Sequence, residues 1–212
     1  MTSDHLVTKV ETTIETLCSV VPNRRTGSPG NREATDFFAE VIRPYGYDLD
    51  TTPFECLDHV KGESSLTQTH GAEGFDVHIS PYSLGCDVEA TLAVVSTVEA
   101  LEAADLAGEI LLMRGPLCAE QLVPKDFVFY NPERHQHIIA LLENGRPAGI
   151  VTATGKNPEQ AGALDPFPLI VDGDFDIPSV FCRKSVGDRL AGLAGERFRL
   201  DIDARRIPSP AT

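Results

Sequence analysis

The sequence predicts a mixed α/β fold in which two amphipathic helices precede a region where strands and helices alternate. Near the amino terminus, apolar residues recur three or four positions apart, which places them on one face of a helix. Further along, apolar runs typical of strands, such as GEILLMRG and AGIVTAT, alternate with helical patterns. With 212 residues, 42% of them hydrophobic, the chain is long enough to bury a sizeable core.

The first helix is predicted over residues 3–21, and Pro22 ends it. After the loop PNRRTGSPG, the second helix is predicted to open at Gly30 or Asn31 and to stop at RPYG. Its apolar stripe contains Ala34, Phe37, Phe38, Val41 and Ile42. The segment YDLDTTPFEC alternates as an edge strand does, up to Pro53.

The middle of the chain gives weaker signals before the pattern sharpens. Between Leu57 and Gly85, short polar runs predict only small strands separated by turns. VEATLAVVST then predicts a strand, VEALEAADL a short helix and GEILLMRG a further strand. The ILLM run indicates that this strand is buried on both faces.

The segment NPERHQHIIALLENGRP predicts a helix with clear ends. Asn131 is the expected N-cap, Pro132 occupies the first helical position, and Asn144 and Gly145 form the stop. AGIVTAT follows as a strand, PFPLIVDGDFDIPSVFC as strand, turn and strand, KSVGDRLAGLAG as a short helix and ERFRLDIDA as a last strand. The final RRIPSPAT, with two arginines, two prolines and no closing element, is predicted to be a linker into a further region.

Charge and cysteine usage limit the classes of partner and compartment. Eighteen basic and thirty-two acidic side chains give a formal charge of −14, which disfavours nucleic acid or an anionic membrane as partner. The five cysteines are scattered without a CxxC pair, as expected in a reducing compartment. No signal peptide and no membrane-spanning stretch is visible, so we expect a cytoplasmic location.

One acidic cluster is a candidate cation site. In DGDFD, Asp172, Asp174 and Asp176 alternate, and on a strand this spacing would aim three carboxylates to one side, toward Ca²⁺ or Mg²⁺. The twelfth position from Asp172 is Arg183, where an EF-hand loop needs a glutamate. Because Asp-Gly also forms turns, we favour a structural turn over a cation site.

The remaining candidates are also better explained by structure. His135 and His137 are two residues apart on a helix and point in different directions, so they cannot bind one ion together. Cys118 lies near a predicted helix start, which would lower its pKa, but we favour a packed thiol. The glycine-rich RTGSPGN could cap a helix or bind an anion at a helix start, and we favour the helix cap. With no GxSxG, HExxH, P-loop or GxGxxG, we predict no catalytic, cofactor or metal residue.

Three ordered motifs resemble the protease-associated (PA) domain. They are LAGEILLMRGPLC, HQHIIALLENGRPAGIVTAT and DIPSVFCRKSVGDRLAGL. The front of the chain, RRTGSPGNREATDFFAEVIRPYGYDLDTTPF, is similar to the lead-in of the co-catalytic zinc aminopeptidases related to glutamate carboxypeptidase and the transferrin receptor. The resemblance implies a peptidase lead-in over 1–57, a PA-type sheet or barrel flanked by short helices over 58–196, and a return strand and linker over 197–212.

The resemblance also implies what the chain does. In that family a peptidase core holds two zinc ions, but none of the core motifs has a counterpart here, so no zinc ligand is assigned to this chain. We therefore expect an accessory region, inactive alone, that acts as a substrate-access lid or a protein-interaction surface. The implied partners are a peptide or protein substrate and the missing peptidase domain. The unpaired helical stripes predict a homodimer in solution.

Two alternatives stay open at this stage. One is a stand-alone PA module that binds a peptide or a protein partner. The other is a hydrolase that uses Cys118 or the acidic turn with a histidine brought close by folding.

Overall fold

The computed structural model describes residues 3–21, 23–71, 73–124, 127–154 and 175–211. The chain divides into two compact units. One contains the residues up to His59 and those from Ile207 onward, and the other is Val60–Arg206. The sequence-based domain boundaries at 57/58 and 196/197 stay predictions about function.

Two helices dominate the first unit. α1 is Ser3–Glu15 and continues into a π-helical turn, Thr16–Val20, while α2 is Pro29–Ile42 and continues into a 3₁₀ turn, Arg43–Tyr45. α2 starts before the predicted Gly30 or Asn31, because Ser28 is the N-cap and Pro29 the first helical residue. The Ser28 hydroxyl oxygen accepts a hydrogen bond from the Asn31 N–H at 3.1 Å.

The edge strand predicted before Pro53 is wrong. Residues 47–53 have no regular structure, and β1 is Phe54–Gln68. Tyr47 and Leu49 are exposed, so their alternation does not reflect burial on one face of a sheet. β1 then continues through the polar SSLTQ, where the sequence predicted only small strands.

The strands form one eight-stranded mixed sheet, which confirms the predicted mixed α/β class. The remaining strands are β2 Gly74–Phe75, β3 His78–Ile79, β4 Cys86–Val95, β5 Ile110–Met113, β6 Gly149–Ala153, β7 Ser179–Cys182 and β8 Arg197–Ala211. Their order is β2-β1-β8-β4-β5-β6-β7-β3. β8 includes the RRIPSP segment, so Pro208 and Pro210 lie inside a strand, and the connecting role predicted for this segment stays a prediction.

The second unit is organised around four parallel strands. β4, β5, β6 and β7 pair in parallel, and β4 pairs antiparallel with β8. The helices of this unit are α3 Val98–Ala103, α4 Glu133–Gly145 and α5 Lys184–Ala191. All four residues of β5 are buried, as the ILLM run predicted.

The ends of α4 differ slightly from the prediction. The N-cap is Pro132 and the first helical residue is Glu133, one position later than expected. At the other end, Arg146 adopts the left-handed conformation with φ 51° and donates its N–H to the Leu142 carbonyl. No helix in the described ranges is long and apolar enough to cross a membrane.

Candidate functional site

A cleft of about 400 Å³ opens at the carboxyl ends of the parallel strands in the second unit. Arg114 follows β5, Thr154 follows β6, and Lys184 and Asp188 lie on α5, which follows β7. The other lining residues are small or apolar: Gly115, Pro116, Ala119 and Ala153. Ligands of open parallel sheets bind at this edge, and the volume lies in the range of small-molecule pockets.

Three charged side chains meet in this cleft. Arg114 Nη2 lies 2.5 Å from Asp188 Oδ1, and Lys184 Nζ lies 2.6 Å from Asp188 Oδ2. The Lys184 ammonium, with a smaller contribution from Arg114, holds the pKa of Asp188 below its ordinary value. The carboxylate is therefore ionised at neutral pH. It neutralises one of the two positive charges of Arg114 and Lys184, so these three side chains give the cleft a net positive charge.

The connection from β5 to α4 carries an exposed apolar segment at the same end of the sheet. We call Phe127–Tyr130, with the sequence FVFY, the aromatic loop. Phe129 is 88% exposed and Val128 is 83% exposed, and Tyr130 is exposed as well. The Phe127 and Phe129 rings meet edge to face, with centroids 5.9 Å apart.

His135, on α4, forms a hydrogen bond to the connection between β5 and α4. Its side chain is buried, and its Nδ1 accepts a hydrogen bond from the Val123 N–H at 3.1 Å. Because Nδ1 accepts, the ring proton sits on Nε2, which lies 3.2 Å from Glu120 Oε1. Arg134 also contacts Glu120 and donates to the Pro116 carbonyl, at the wall of the cleft.

The two histidines of the HxH motif have different surroundings, as the geometry of a helix requires. His135 is buried, whereas His137 is half exposed and its Nε2 lies 2.6 Å from Glu102 Oε1. They share no partner among these contacts, so they do not form a chelating pair.

Cys118 is not an activated thiol. It is the last residue of a 3₁₀ turn, Gly115–Cys118, and it is 1% exposed. Burial raises its pKa to about 12, whereas a helix start had been considered as a cause of a lowered pKa. At neutral pH the thiol is therefore protonated, which does not support the hydrolase alternative based on Cys118.

The acidic cluster is only partly described. Asp172 and Asp174 lie outside the described residues, and Asp176 Oδ1 accepts a hydrogen bond from Arg206 Nη1 at 2.9 Å. Across the described ranges, no three His, Cys, Asp or Glu side chains come together as a metal site. The resemblance places its zinc pair in the missing peptidase core, so that expectation stays a prediction.

Sequence reasoning missed the aromatic loop and the cleft. Four adjacent large apolar residues in KDFVFYN were visible, but their exposure depends on the surrounding fold. The cleft joins Arg114 to Asp188, 74 positions apart in sequence, so no local pattern reveals it.

Solved structures with a similar fold include an aminopeptidase, a zinc aminopeptidase and a peptidase M28 precursor. The structure aligns with the aminopeptidase from Aneurinibacillus sp. strain AM-1 with a TM-score of 0.67 and 20% identity, over 99% of this chain and 48% of that one. The zinc aminopeptidase of Bacillus subtilis aligns with a TM-score of 0.58 and 15% identity, over 94% of this chain and 45% of that one.

A third likeness is to a peptidase M28 precursor from Shewanella amazonensis, with a TM-score of 0.56 and 14% identity, over 93% of this chain and 48% of that one. The chain thus spans about half the length of each of these structures. No family model and no curated protein matches the sequence. At these identities the comparisons show a shared, aminopeptidase-related fold.

Proposed function

We propose that this chain is the accessory, non-catalytic region of a zinc-dependent aminopeptidase, with a PA domain that acts as a substrate-access lid or a protein-interaction surface. The observation that carries this proposal is the uncovered apolar face of each helix in the first unit. The peptidase core is the neighbour that we assign to these faces.

The helix faces are exposed to an unusual degree. α2 has no buried residue, and Phe38, in the middle of its stripe, is 61% exposed. On α1 the stripe is also exposed, at Leu6, Val7, Val10 and Ile14. An amphipathic helix normally buries such a stripe against another element, so these two faces are expected to have a partner.

The order of the strands supports the PA assignment. The motifs LAGEILLMRGPLC, HQHIIALLENGRPAGIVTAT and DIPSVFCRKSVGDRLAGL contribute β5, β6 and β7, which are neighbours in the sheet. Motifs that are separate in sequence therefore build one continuous parallel segment. The solved structures with this fold, about twice as long as the chain, support a zinc peptidase as the parent.

Zinc belongs to the proposed core in this scheme. On the strength of the family resemblance, we assign both zinc ions and the hydrolytic step to the missing domain. We expect the 212-residue chain alone to bind no stoichiometric zinc and to hydrolyse no aminoacyl substrate. The five free cysteines support the proposed reducing, cytoplasmic location.

The native mass of the protein tests this proposal. Antibody capture from the source cells followed by intact mass spectrometry should find a species well above 23.0 kDa. That species should carry two zinc ions and cleave aminoacyl substrates. A native species of 23.0 kDa, or hydrolysis by the purified 212-residue chain, would overturn the proposal.

A stand-alone peptide-binding module is the second candidate function. The aromatic loop favours it, because this loop is exposed within its own unit and does not need a peptidase core to be presented. A native species of 23.0 kDa would favour this candidate.

A further inference from the structure

The aromatic loop is an unusual surface for a soluble protein. Four consecutive large apolar residues occupy it, and three of them, Val128, Phe129 and Tyr130, are strongly exposed. Soluble proteins rarely leave a contiguous apolar patch open to water unless it meets a ligand or another surface. We therefore expect a ligand or another surface to cover the aromatic loop.

The loop is held in place by contacts on both sides. On the side of β5, the Val123 N–H is bound by His135 Nδ1, and the Phe127 N–H donates to the Pro124 carbonyl at 3.1 Å. On the side of α4, Gln136 Nε2 donates to the Asn131 carbonyl at 2.9 Å. These hydrogen bonds therefore fix the residues that flank the aromatic loop on both sides.

The cleft adjoins the loop along the chain. Pro116 and Ala119 line the cleft, and the segment that follows them leads into the aromatic loop. Arg134, at the start of α4, donates to the Pro116 carbonyl and so ties the far side of the connection to the cleft wall. The connection that carries the aromatic loop therefore both leaves from and returns to the wall of the cleft.

The charge of the cleft is opposite to that of the protein. Arg114 and Lys184 share a single carboxylate, Asp188, which leaves a net positive charge in a chain whose formal charge is −14. A ligand carboxylate would be attracted to this cleft and repelled from most of the remaining surface. The combination selects ligands that carry an acidic group close to large apolar groups.

We propose that the aromatic loop and the cleft together bind an acidic peptide, with an apolar side chain against Phe129 and a carboxylate against Arg114 and Lys184. The choice of a peptide as the ligand rests on the proposed function, whereas the site rests on the geometry of the second unit. We expect the 212-residue chain to bind the peptide by itself, without zinc.

Fluorescence anisotropy with two matched peptides tests this site. One fluorescein-labelled pentapeptide contains two leucines, a phenylalanine and two glutamates, and the other has glutamines in place of the glutamates. Both have an amidated carboxyl terminus, so that they differ only in side-chain charge. We expect the glutamate peptide to bind the 212-residue chain about tenfold more tightly, a typical effect of one charge-assisted contact.

Two variants separate the two halves of the site, and a third is the control. Phe129→Ser removes a ring that is 88% exposed and should weaken the binding of both peptides about tenfold. Lys184→Gln should remove the preference for glutamate and leave the glutamine peptide unchanged. Tyr47→Ser, which removes a similarly exposed ring in the first unit, is the control and should change neither affinity.

Four results would overturn the proposal: equal binding of the two peptides, unchanged binding by Phe129→Ser, equal weakening by Tyr47→Ser, or loop-dependent binding to phosphatidylcholine vesicles. The last would assign the loop to a membrane. The test is independent of the native mass. If the native species has a mass of 23.0 kDa and binds the peptide, the accessory role is contradicted and the peptide site is retained. If the native species is larger but the 212-residue chain does not bind the peptide, the peptide site is contradicted and the accessory role is retained.

Discussion

Val123 and His135 form the hydrogen bond that joins the loop after β5 to α4, with the Val123 N–H 3.1 Å from Nδ1 of the buried imidazole. His135→Ala should lower the free energy of unfolding by about 2 to 4 kcal/mol, because it leaves a cavity and an unpaired N–H. Urea denaturation measures the loss.

His137→Ala is the matched control for this prediction, since His137 is two residues away on the same helix but half exposed. Its loss should stay below about 1 kcal/mol, as for other exposed pairs. Equal losses for the two variants would contradict the assigned role of His135.

Three thiols make the stability depend on pH in the alkaline range. Burial raises the pKa of Cys86, Cys118 and Cys182 to about 12, whereas an unfolded thiol ionises near pH 8.5. Above about pH 8.5 the unfolded state releases protons that the folded state keeps, so stability should fall by up to about 1.4 kcal/mol per pH unit for each thiol.

Denaturation curves between pH 8 and 11 test this dependence. Cys118→Ala should reduce the loss of unfolding free energy per pH unit by the contribution of one thiol. Cys18→Ala, at an exposed cysteine, should leave this loss unchanged. An unchanged slope in Cys118→Ala would show that its thiol does not control the alkaline loss.

Arg206 fastens two segments of the second unit to β8. It donates to the Tyr82 carbonyl at 2.7 Å, to the Phe175 carbonyl and to Asp176 Oδ1, and its side chain is 9% exposed. Arg206→Ala should cost about 2 to 4 kcal/mol of unfolding free energy, because buried acceptors lose their donor. Arg206→Lys should recover little, since lysine lacks the planar fork.

Asp176→Asn provides the comparison for Arg206. Its carboxylate is largely exposed, so the change should cost less than about 1 kcal/mol in thermal or urea unfolding. A loss as large as that of Arg206→Ala would mean that the ion pair, and not the carbonyl contacts, holds these segments.

The uncovered stripe of α2 predicts self-association of the 212-residue chain. Light scattering should give a mass near twice 23.0 kDa, and Phe38→Asp should return it to the monomer, because a buried carboxylate would disrupt the apolar contact. Phe129→Ser should leave the dimer intact. A monomeric wild-type chain at low salt would contradict this prediction.

The sequence predicts most of the elements whose signals are local. The ILLM run identified the buried β5, and the periodicity of residues 3–21 identified α1. The start of α2 was missed although Ser28 and Pro29 are a recognisable cap and first residue. That error came from reading the glycine-rich loop as the boundary.

Other features depend on distant parts of the chain and were not accessible to local patterns. β8 continues through Pro208 and Pro210, residues that locally indicate a linker. The cleft requires residues after β5 and on α5 to meet, and the exposure of FVFY depends on what covers it. Pairing and burial of this kind are properties of the assembled sheet.

The position of β8 affects how the protein folds during synthesis. Of the eight strands described here, β8 is the last to be synthesised, yet it lies between β1 and β4. Until residues 197–206 emerge, the nascent chain exposes an unpaired edge of β4, where β8 will later bind. At about 5 to 20 residues per second, that edge stays open for several seconds or longer after β4 is made, so chaperone binding is expected to protect it.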